Sequence, residues 1–534
     1  MILLALMVSL LLGATSATAD SPRLIVVIAV DQLRSDRLST SLPGGLGELA
    51  RSGRVFSNTS LDHAATNTCP GHAVMLTGTN PNQHGITGNE YFDRTSWQRR
   101  YCVEDPQYPQ LGGGEGRSPS RLQATTLGDW MKDADPTSRV FAVAAKDRAA
   151  ITLGGLHSDA AFWLNRDTGQ FTSSEYYLDE LPQWLTRFNG DDPDVPAWLA
   201  EFPAQWKHPQ RGPRADDFAF ESDEFSRASP HALNSGDLED RVSATYASPY
   251  IDQAVTSLTI ELIRQEQLGY DAAPDLLAVS YAATDTVGHL YGPRSSESID
   301  TLIRLDGQID RLLTTLDELI GMEHILVVLT ADHGVLPLPE ATSKTGSRCP
   351  QPRTGIIELV MALWWDVYWS FSAPFTGPWN LVNFAESQVH VNLTLAADLG
   401  YDPTTVIDRV EALLEAQPAI QAAWTRQELR QSDTEEARLI RNSLSGDSSG
   451  ELYLQAKSGC LVGGDTGTGH GSLYSYDRQV PLVFYGSGVS MGVSDEPAAT
   501  IDIAPTIAPL LGIAQPPGLP GIQRQLSPSA ARQP

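Results

Sequence analysis

The chain has 534 residues, 41% of them hydrophobic and 19% charged, enough apolar material for a large core and without a low-complexity tract that would favour disorder. Its 65 acidic residues outnumber 37 basic ones, giving a formal net charge of −28 spread along the sequence. A surface of that sign repels nucleic acid and anionic lipid, so an anionic ligand would have to be met by a local concentration of cations.

Residues 1–19 open with an apolar run from Ile2 to Leu12 and close on Ala17-Thr18-Ala19, the pattern of a secretory signal peptide cut before Asp20. Export to a periplasmic or extracellular space is therefore expected, and residues 20–534 form the mature chain. Short apolar runs then recur, each ending on a residue with chemistry. Leu24–Val30 ends at Asp31, Val140–Ala145 at Lys146, Leu276–Ala283 close to Asp285, and Ile325–Ala331 at Asp332. Continuous runs of this length suit strands covered on both faces.

Between them, Ile251, Val255, Leu258 and Leu262 repeat at helical spacing, as do Ile299, Leu302, Leu305, Ile309, Leu312 and Leu316. Strands alternating with helices predict an α/β fold with a mostly parallel central sheet, helices on both faces and ligands beyond the carboxyl ends of the strands. The pattern loosens over about 158–241 and about 341–459, which read as insertions into one catalytic domain spanning 20–534. Within the second, Trp364, Trp365, Tyr368 and Trp369 read as core. The same stretch, Ile356 to Phe371, is too short and too charged, with Glu358 and Asp366, to span a membrane. Val480–Gly486 looks like a return to the central sheet. Four cysteines, Cys69, Cys102, Cys349 and Cys460, are an even count in an exported chain and allow one or two disulfides, with three pairings open if all are bridged.

Singly, an Asp closing a strand is often only a turn cap. Together the residues say more. Asp285 and His289 stand one helical turn apart, Asp332 and His333 are adjacent at a strand end, and Asp31 and His470 complete six Asp and His ligands. Mixed nitrogen and oxygen donors suit Zn²⁺ better than Ca²⁺ or Mg²⁺. In NTCPGH, Pro70 suits a first helical turn, which places Thr68 at or next to an N-cap, where free N–H groups favour a phosphate. A metal that lowers the hydroxyl pKa would make Thr68 a nucleophile, with Thr66 the nearest rival.

These residues resemble the alkaline phosphatase superfamily, and within it the single-threonine alkaline phosphatases of the PafA type. The matches run in order through VDQLRSD at Asp31, NTCPGH at Thr68, HGITGN ending at Asn89, KDR at Lys146–Arg148, TDTVGH at Asp285–His289, ADHG at Asp332–His333 and GHG at His470. The resemblance implies one zinc ion on Asp285, His289 and His470 and another on Asp31, Asp332, His333 and Thr68. It also implies contacts from Asn89, Lys146 and Arg148 to the transferred phosphoryl group. The implied activity is hydrolysis of small-molecule phosphate monoesters through a phosphothreonine. The Lys-x-Arg pair favours a dianionic monoester over a diester. The alternative is a nucleotide pyrophosphatase or phosphodiesterase on the same metals; a sulfatase is disfavoured because C-x-P-x-R is absent. Two Zn²⁺ per chain are expected, with oligomeric state and any added Ca²⁺ or Mg²⁺ left open.

Overall fold

The computed structural model describes residues 21–192, 195–342, 349–371 and 380–527; the expected signal peptide lies outside these residues. At the centre is a nine-stranded sheet. In chain order its strands are β1 Leu24–Val30, β2 Arg54–Phe56, β3 Val140–Ala144, β4 Ala160–Asn165, β5 Gln170–Thr172, β6 Asp275–Tyr281, β7 Ile325–Thr330, β8 Leu482–Gly486 and β9 Gly492–Ser494. In space they run β9-β2-β8-β7-β1-β6-β3-β4-β5. The middle of the sheet, β7-β1-β6-β3-β4, is parallel throughout, so these carboxyl ends share one edge. β8 pairs antiparallel with β7, and β5 antiparallel with β4.

Every residue of β1 is buried, as the unbroken LIVVIAV run requires of a strand covered on both sides. Leu24, Val26, Ile28 and Val30 enter one core, packed with Val255 and Leu258 of the helix Tyr250–Glu266. Ile25, Val27 and Ala29 enter the other, with Ala73 and Met75 of helix α1, Thr68–Thr77, and Ile151 of α2, Asp147–Gly154. Each fully buried Ile, Leu or Val in these layers contributes about 1.5–3 kcal/mol. Helix α3, Ala283–Tyr291, follows β6, and α4, Ser296–Leu319, covers the first face through Leu305, Ile309, Leu312 and Leu316.

Two expectations need correction. The stretch from about 158 was expected to be an insertion, yet it begins with β4 and β5 of the central sheet. The run AAFWLN of β4 is fully buried, but its apolar part is only five residues long and opens a polar, weakly periodic stretch. The aromatic segment is the second case. It forms α5, Ile356–Phe371, whose Leu359, Leu363, Val367 and Phe371 are buried while Ile357, Met361, Trp365, Tyr368 and Trp369 are exposed. Spacing of three and four residues sends Trp365, Tyr368 and Trp369 to the face opposite the packed one, while Trp364 is half-buried and its Nε1–H donates to the Val382 carbonyl at 2.8 Å. Trp365 and Trp369 are each 66% exposed.

The buried face of α5 belongs to a separate core around a four-stranded antiparallel sheet of Val382–Ala385, Gln388–Val391, Leu452–Ala456 and Ile420–Thr425, with the helix Pro403–Glu415 alongside. Disulfides join Cys69 to Cys102 and Cys349 to Cys460. Among the described residues, no helix is long and apolar enough to cross a membrane.

Candidate active site

The shared carboxyl edge of the parallel strands gathers the residues singled out in the sequence. Asp31 directly follows β1, Lys146 lies just beyond β3, Asp285 sits in the first turn of α3 after β6, and Asp332 and His333 follow β7. His470 arrives on a loop from the far end of the chain, and its Nε2 lies 3.1 Å from Nε2 of His289 and 3.6 Å from Oδ1 of Asp285. His289 Nε2 is 3.1 Å from that same oxygen. A second group forms where His333 Nε2 stands 3.4 Å from Oδ1 of Asp31 and 3.3 Å from Oδ2 of Asp332. The two groups adjoin, since the rings of His333 and His470 stack with centroids 3.6 Å apart.

All three imidazoles are oriented by the backbone. Nδ1 of His289 faces the carbonyl of Thr468 at 2.8 Å, that of His333 the carbonyl of Gly334 at 2.9 Å, and that of His470 the carbonyl of Thr66 at 2.7 Å. With each Nδ1–H donated there, each Nε2 presents a lone pair to the cluster, the arrangement of a metal ligand with an outer partner. Asp31 Oδ1, Asp332 Oδ2 and His333 Nε2 are buried with no hydrogen-bond partner among the described residues. Such orphaned atoms cost stability unless a cation satisfies them, and mixed carboxylate and imidazole donors fit Zn²⁺.

The charges agree. Burial, with the neighbouring carboxylates of Asp285 and Asp332, pushes Asp31 up to about 6. Burial would also raise Asp285, but the Lys146 ammonium beside it holds it well below the usual range, and the same carboxylate outweighs burial to raise His289, whose Nε2 would give up its proton to a bound cation. Burial, with His470 beside it, drives His333 well below the ordinary histidine value, so its ring is neutral and able to coordinate.

Thr68 is the first residue of α1, next to the N-cap Asn67, and almost completely buried. Its Oγ1 lies 3.4 Å from a guanidinium nitrogen of Arg148, which is also held by the hydroxyl of Tyr101 at 3.3 Å. Oδ1 of Asn89 accepts the Cys69 N–H at 2.8 Å, which fixes Asn89 at the same helix end. Gly71, one turn on, lets α1 approach the strand edge, because a Cβ there would stand 2.3 Å from the carbonyl oxygen of Asp332. Lys146 is placed differently from Arg148. Its ammonium sits between the two groups, 2.5 Å from Asp31 and 2.5 Å from Asp285, so it lies among the acids. Thr66, the rival hydroxyl, donates to the Ser472 carbonyl and accepts from the Gly471 N–H, tied to the His470 loop.

Other members of the site were not singled out in the sequence. His72 lies one turn after Thr68, a place on the same helix face that the i to i+4 spacing in TCPGH could have suggested, and its Nδ1 is 3.3 Å from Oδ2 of Asp332. Gln32 donates to Asp285 at 2.7 Å from a left-handed backbone (φ 68°). Asp147 accepts from Tyr101 at 2.6 Å and from Arg117 at 2.7 Å, which buttresses Arg148. Glu386, from the second sheet, accepts the Asn89 N–H at 2.8 Å and the side-chain amide of Asn67. No local pattern marks that contact. A cleft of about 530 Å³ opens beside His470 and Asn67, walled by Trp364, Phe384 and Leu454 of the second core and by Phe92.

The description "Type I phosphodiesterase / nucleotide pyrophosphatase" matches residues 25–469. Alkaline phosphatase PafA of Elizabethkingia meningoseptica is 31% identical over 537 residues, covering 97% of this chain and 96% of that protein. Alkaline phosphatase PhoD of Zymomonas mobilis is 32% identical, covering 94% and 88%. The crystal structure of wild-type PafA superposes with a TM-score of 0.86 at 28% identity, over 94% of this chain and 98% of that one. A murine ectonucleotide pyrophosphatase/phosphodiesterase 5 shares the fold at a TM-score of 0.54 and 13% identity. The chain therefore belongs to the type I phosphodiesterase/nucleotide pyrophosphatase family and, within it, groups with the PafA-like alkaline phosphatases.

Proposed function

We propose that this chain, a phosphoric monoester hydrolase, is an exported alkaline phosphatase that works on two Zn²⁺ through a phosphothreonine at Thr68. One observation carries the reading: a buried threonine at a helix N-terminus faces Arg148 beside six Asp and His side chains, three of whose inward atoms have no hydrogen-bond partner among the described residues. Asp285, His289 and His470 would hold one ion, and Asp31, Asp332 and His333 the other. The bound ions would lower the pKa of the Thr68 hydroxyl and neutralise the departing oxygen.

Thr68 Oγ1 attacks phosphorus and the bond to the ester oxygen breaks, releasing the alcohol. Water then attacks the phosphothreonine, releasing inorganic phosphate and restoring the hydroxyl. Arg148, fixed by Tyr101, and the Asn89 amide bind non-bridging oxygens in place, so positioning and electrostatics account for most of the rate. Lys146, set between the acids, adds positive charge on the same side. The substrates are small-molecule phosphate monoesters, with the aromatic cleft receiving the alcohol portion. His72 acts through Asp332, and Glu386 through Asn89.

The test pairs rates on a monoester and a diester sharing one leaving group with metal analysis of the same sample. Faster monoester turnover, abolished by a chelator and restored by Zn²⁺, is the expected result. Preferential turnover of the diester would transfer the assignment to a phosphodiesterase, and chelator-insensitive activity would remove the two-ion mechanism.

A further inference from the structure

Away from the strand edge, His208, His231 and Glu297 converge from three parts of the chain. His208 follows the short strand Gln205–Trp206, His231 lies in its partner strand His231–Ala232, and Glu297 is in the first turn of α4. The side chains of His208, His231 and Glu297 are 0%, 2% and 1% exposed. Nε2 of the two imidazoles are 3.1 Å apart, and Glu297 Oε1 is 3.6 Å from one and 3.7 Å from the other.

A tetrahedral ion with bonds near 2.0–2.1 Å sets its ligand atoms roughly 3.3 Å apart. The three separations bracket that value, and they match those of the candidate catalytic group of His289, His470 and Asp285. The outer partners match as well. Nδ1 of His231 faces the Phe225 carbonyl at 3.1 Å, and Nδ1 of His208 faces that of Pro209 at 3.3 Å. With both Nδ1–H groups donated outward, two lone pairs oppose each other at the centre.

Hydrogen bonding within the protein does not resolve this. Among the described residues, both oxygens of Glu297 are buried without a donor, and the separations to the imidazoles are too long for hydrogen bonds. A proton shared between the imidazoles would leave both oxygens orphaned, which is unfavourable for a buried charged group. Arg214, in the same segment, is engaged by Glu221 and the Tyr291 carbonyl. Burial, with the charge of Glu297 adding to it, pushes Glu221 up to about 7, as expected where negative charge is under-compensated. Asp216, 3.9 Å behind Nδ1 of His208, adds a further carboxylate with a buried, unpartnered oxygen.

We propose that His208, His231 and Glu297 form a further binding site for a divalent transition ion of the zinc class, separate from the catalytic pair and independent of the catalytic reading. Two imidazoles and one carboxylate are a zinc donor set, and the remaining position falls to the second Glu297 oxygen or to water. Such an ion fastens the polar segment 205–231 to the start of α4. That segment also meets the active-site scaffold: the Phe220 carbonyl accepts the Gly467 N–H at 2.8 Å, and the Ser222 N–H donates to Leu290 at 2.9 Å. The ion therefore braces the loop carrying His470 and the end of α3 from behind.

The deciding experiment is anomalous diffraction at the zinc edge from crystals of the whole mature protein grown with Zn²⁺ near neutral pH. A peak enclosed by His208, His231 and Glu297 is expected, whether or not the catalytic ions are seen. Full catalytic peaks with none at this position would overturn the proposal. In solution, His208→Ala combined with Glu297→Gln should lose one zinc equivalent per chain and part of the thermal stabilisation given by added zinc. An unchanged zinc content in that folded variant would also overturn it; if the variant does not fold, the wild-type anomalous map decides.

Discussion

The edge of the central sheet and the sheet that overhangs it contribute different things to one space. Along the edge, acids and imidazoles come from strand ends, rigidly placed by the fully buried β1, β6 and β7. The overhanging sheet sends one carboxylate, Glu386, to the helix end and otherwise offers apolar walls such as Trp364, Phe384 and Leu454. Its core is separate, and its helix α5 turns aromatic side chains to solvent. Charge that reacts is held by the deepest part of the fold, while the part that shapes the entrance is built independently. Entrance and chemistry can then vary separately.

Removing Thr68, the proposed nucleophile, tests that division most severely. Thr68→Ala should lower turnover by on the order of 10³-fold or more while metal content and melting temperature stay near those of the parent. Retained turnover, with loss only in a Thr66 variant, would move the nucleophile. Replacing Lys146 and Arg148 together with Ala should have the next largest effect, about 10²-fold on a monoester and clearly less on a diester with the same leaving group. Equal losses on the two would remove the basis for preferring a dianion.

The overhanging sheet should show smaller effects. Glu386→Gln keeps an acceptor for the Asn89 N–H but removes the charge, and should lower kcat/KM by about tenfold. This carboxyl is pushed up to about 7 in the folded chain by burial, offset only in part by the Asn89 N–H, against an ordinary 4.5. The native state thus holds the proton more tightly than the unfolded chain. Its contribution to stability is present below about 4.5 and lost as pH rises through about 7. Urea unfolding of parent and variant between those pH values measures the difference. A parent that gains stability relative to the variant as pH rises would contradict the sign.

How much of this was legible in the sequence followed from distance along the chain. Asp31, Lys146 and Asp332 were visible because each ends a buried parallel strand, and a parallel sheet brings such ends together. His470 could be singled out only beside the other motifs, since its loop lies 181 residues from its neighbour His289. Glu386 left no trace, because its partner Asn89 is 297 residues away and their contact depends on how one sheet overhangs another. The cluster at His208, His231 and Glu297 was hidden for the same reason, with no ligand spacing to mark it. β4 escaped because its apolar run, AAFWL, is only five residues long and opens a polar, weakly periodic stretch, and Trp365, Tyr368 and Trp369 of α5 were misjudged because composition does not say which face of a helix packs.

The carbonyls that hold Nδ1 of His289, His333 and His470 have a consequence for how ions enter. Those rings are fixed in tautomer and direction by the backbone during folding, so little side-chain freedom remains to be lost when an ion arrives. The site is preorganised. On the two-ion reading, an ion would leave and return without the scaffold reassembling around it, and its affinity would reflect mainly the exchange of water for ligands.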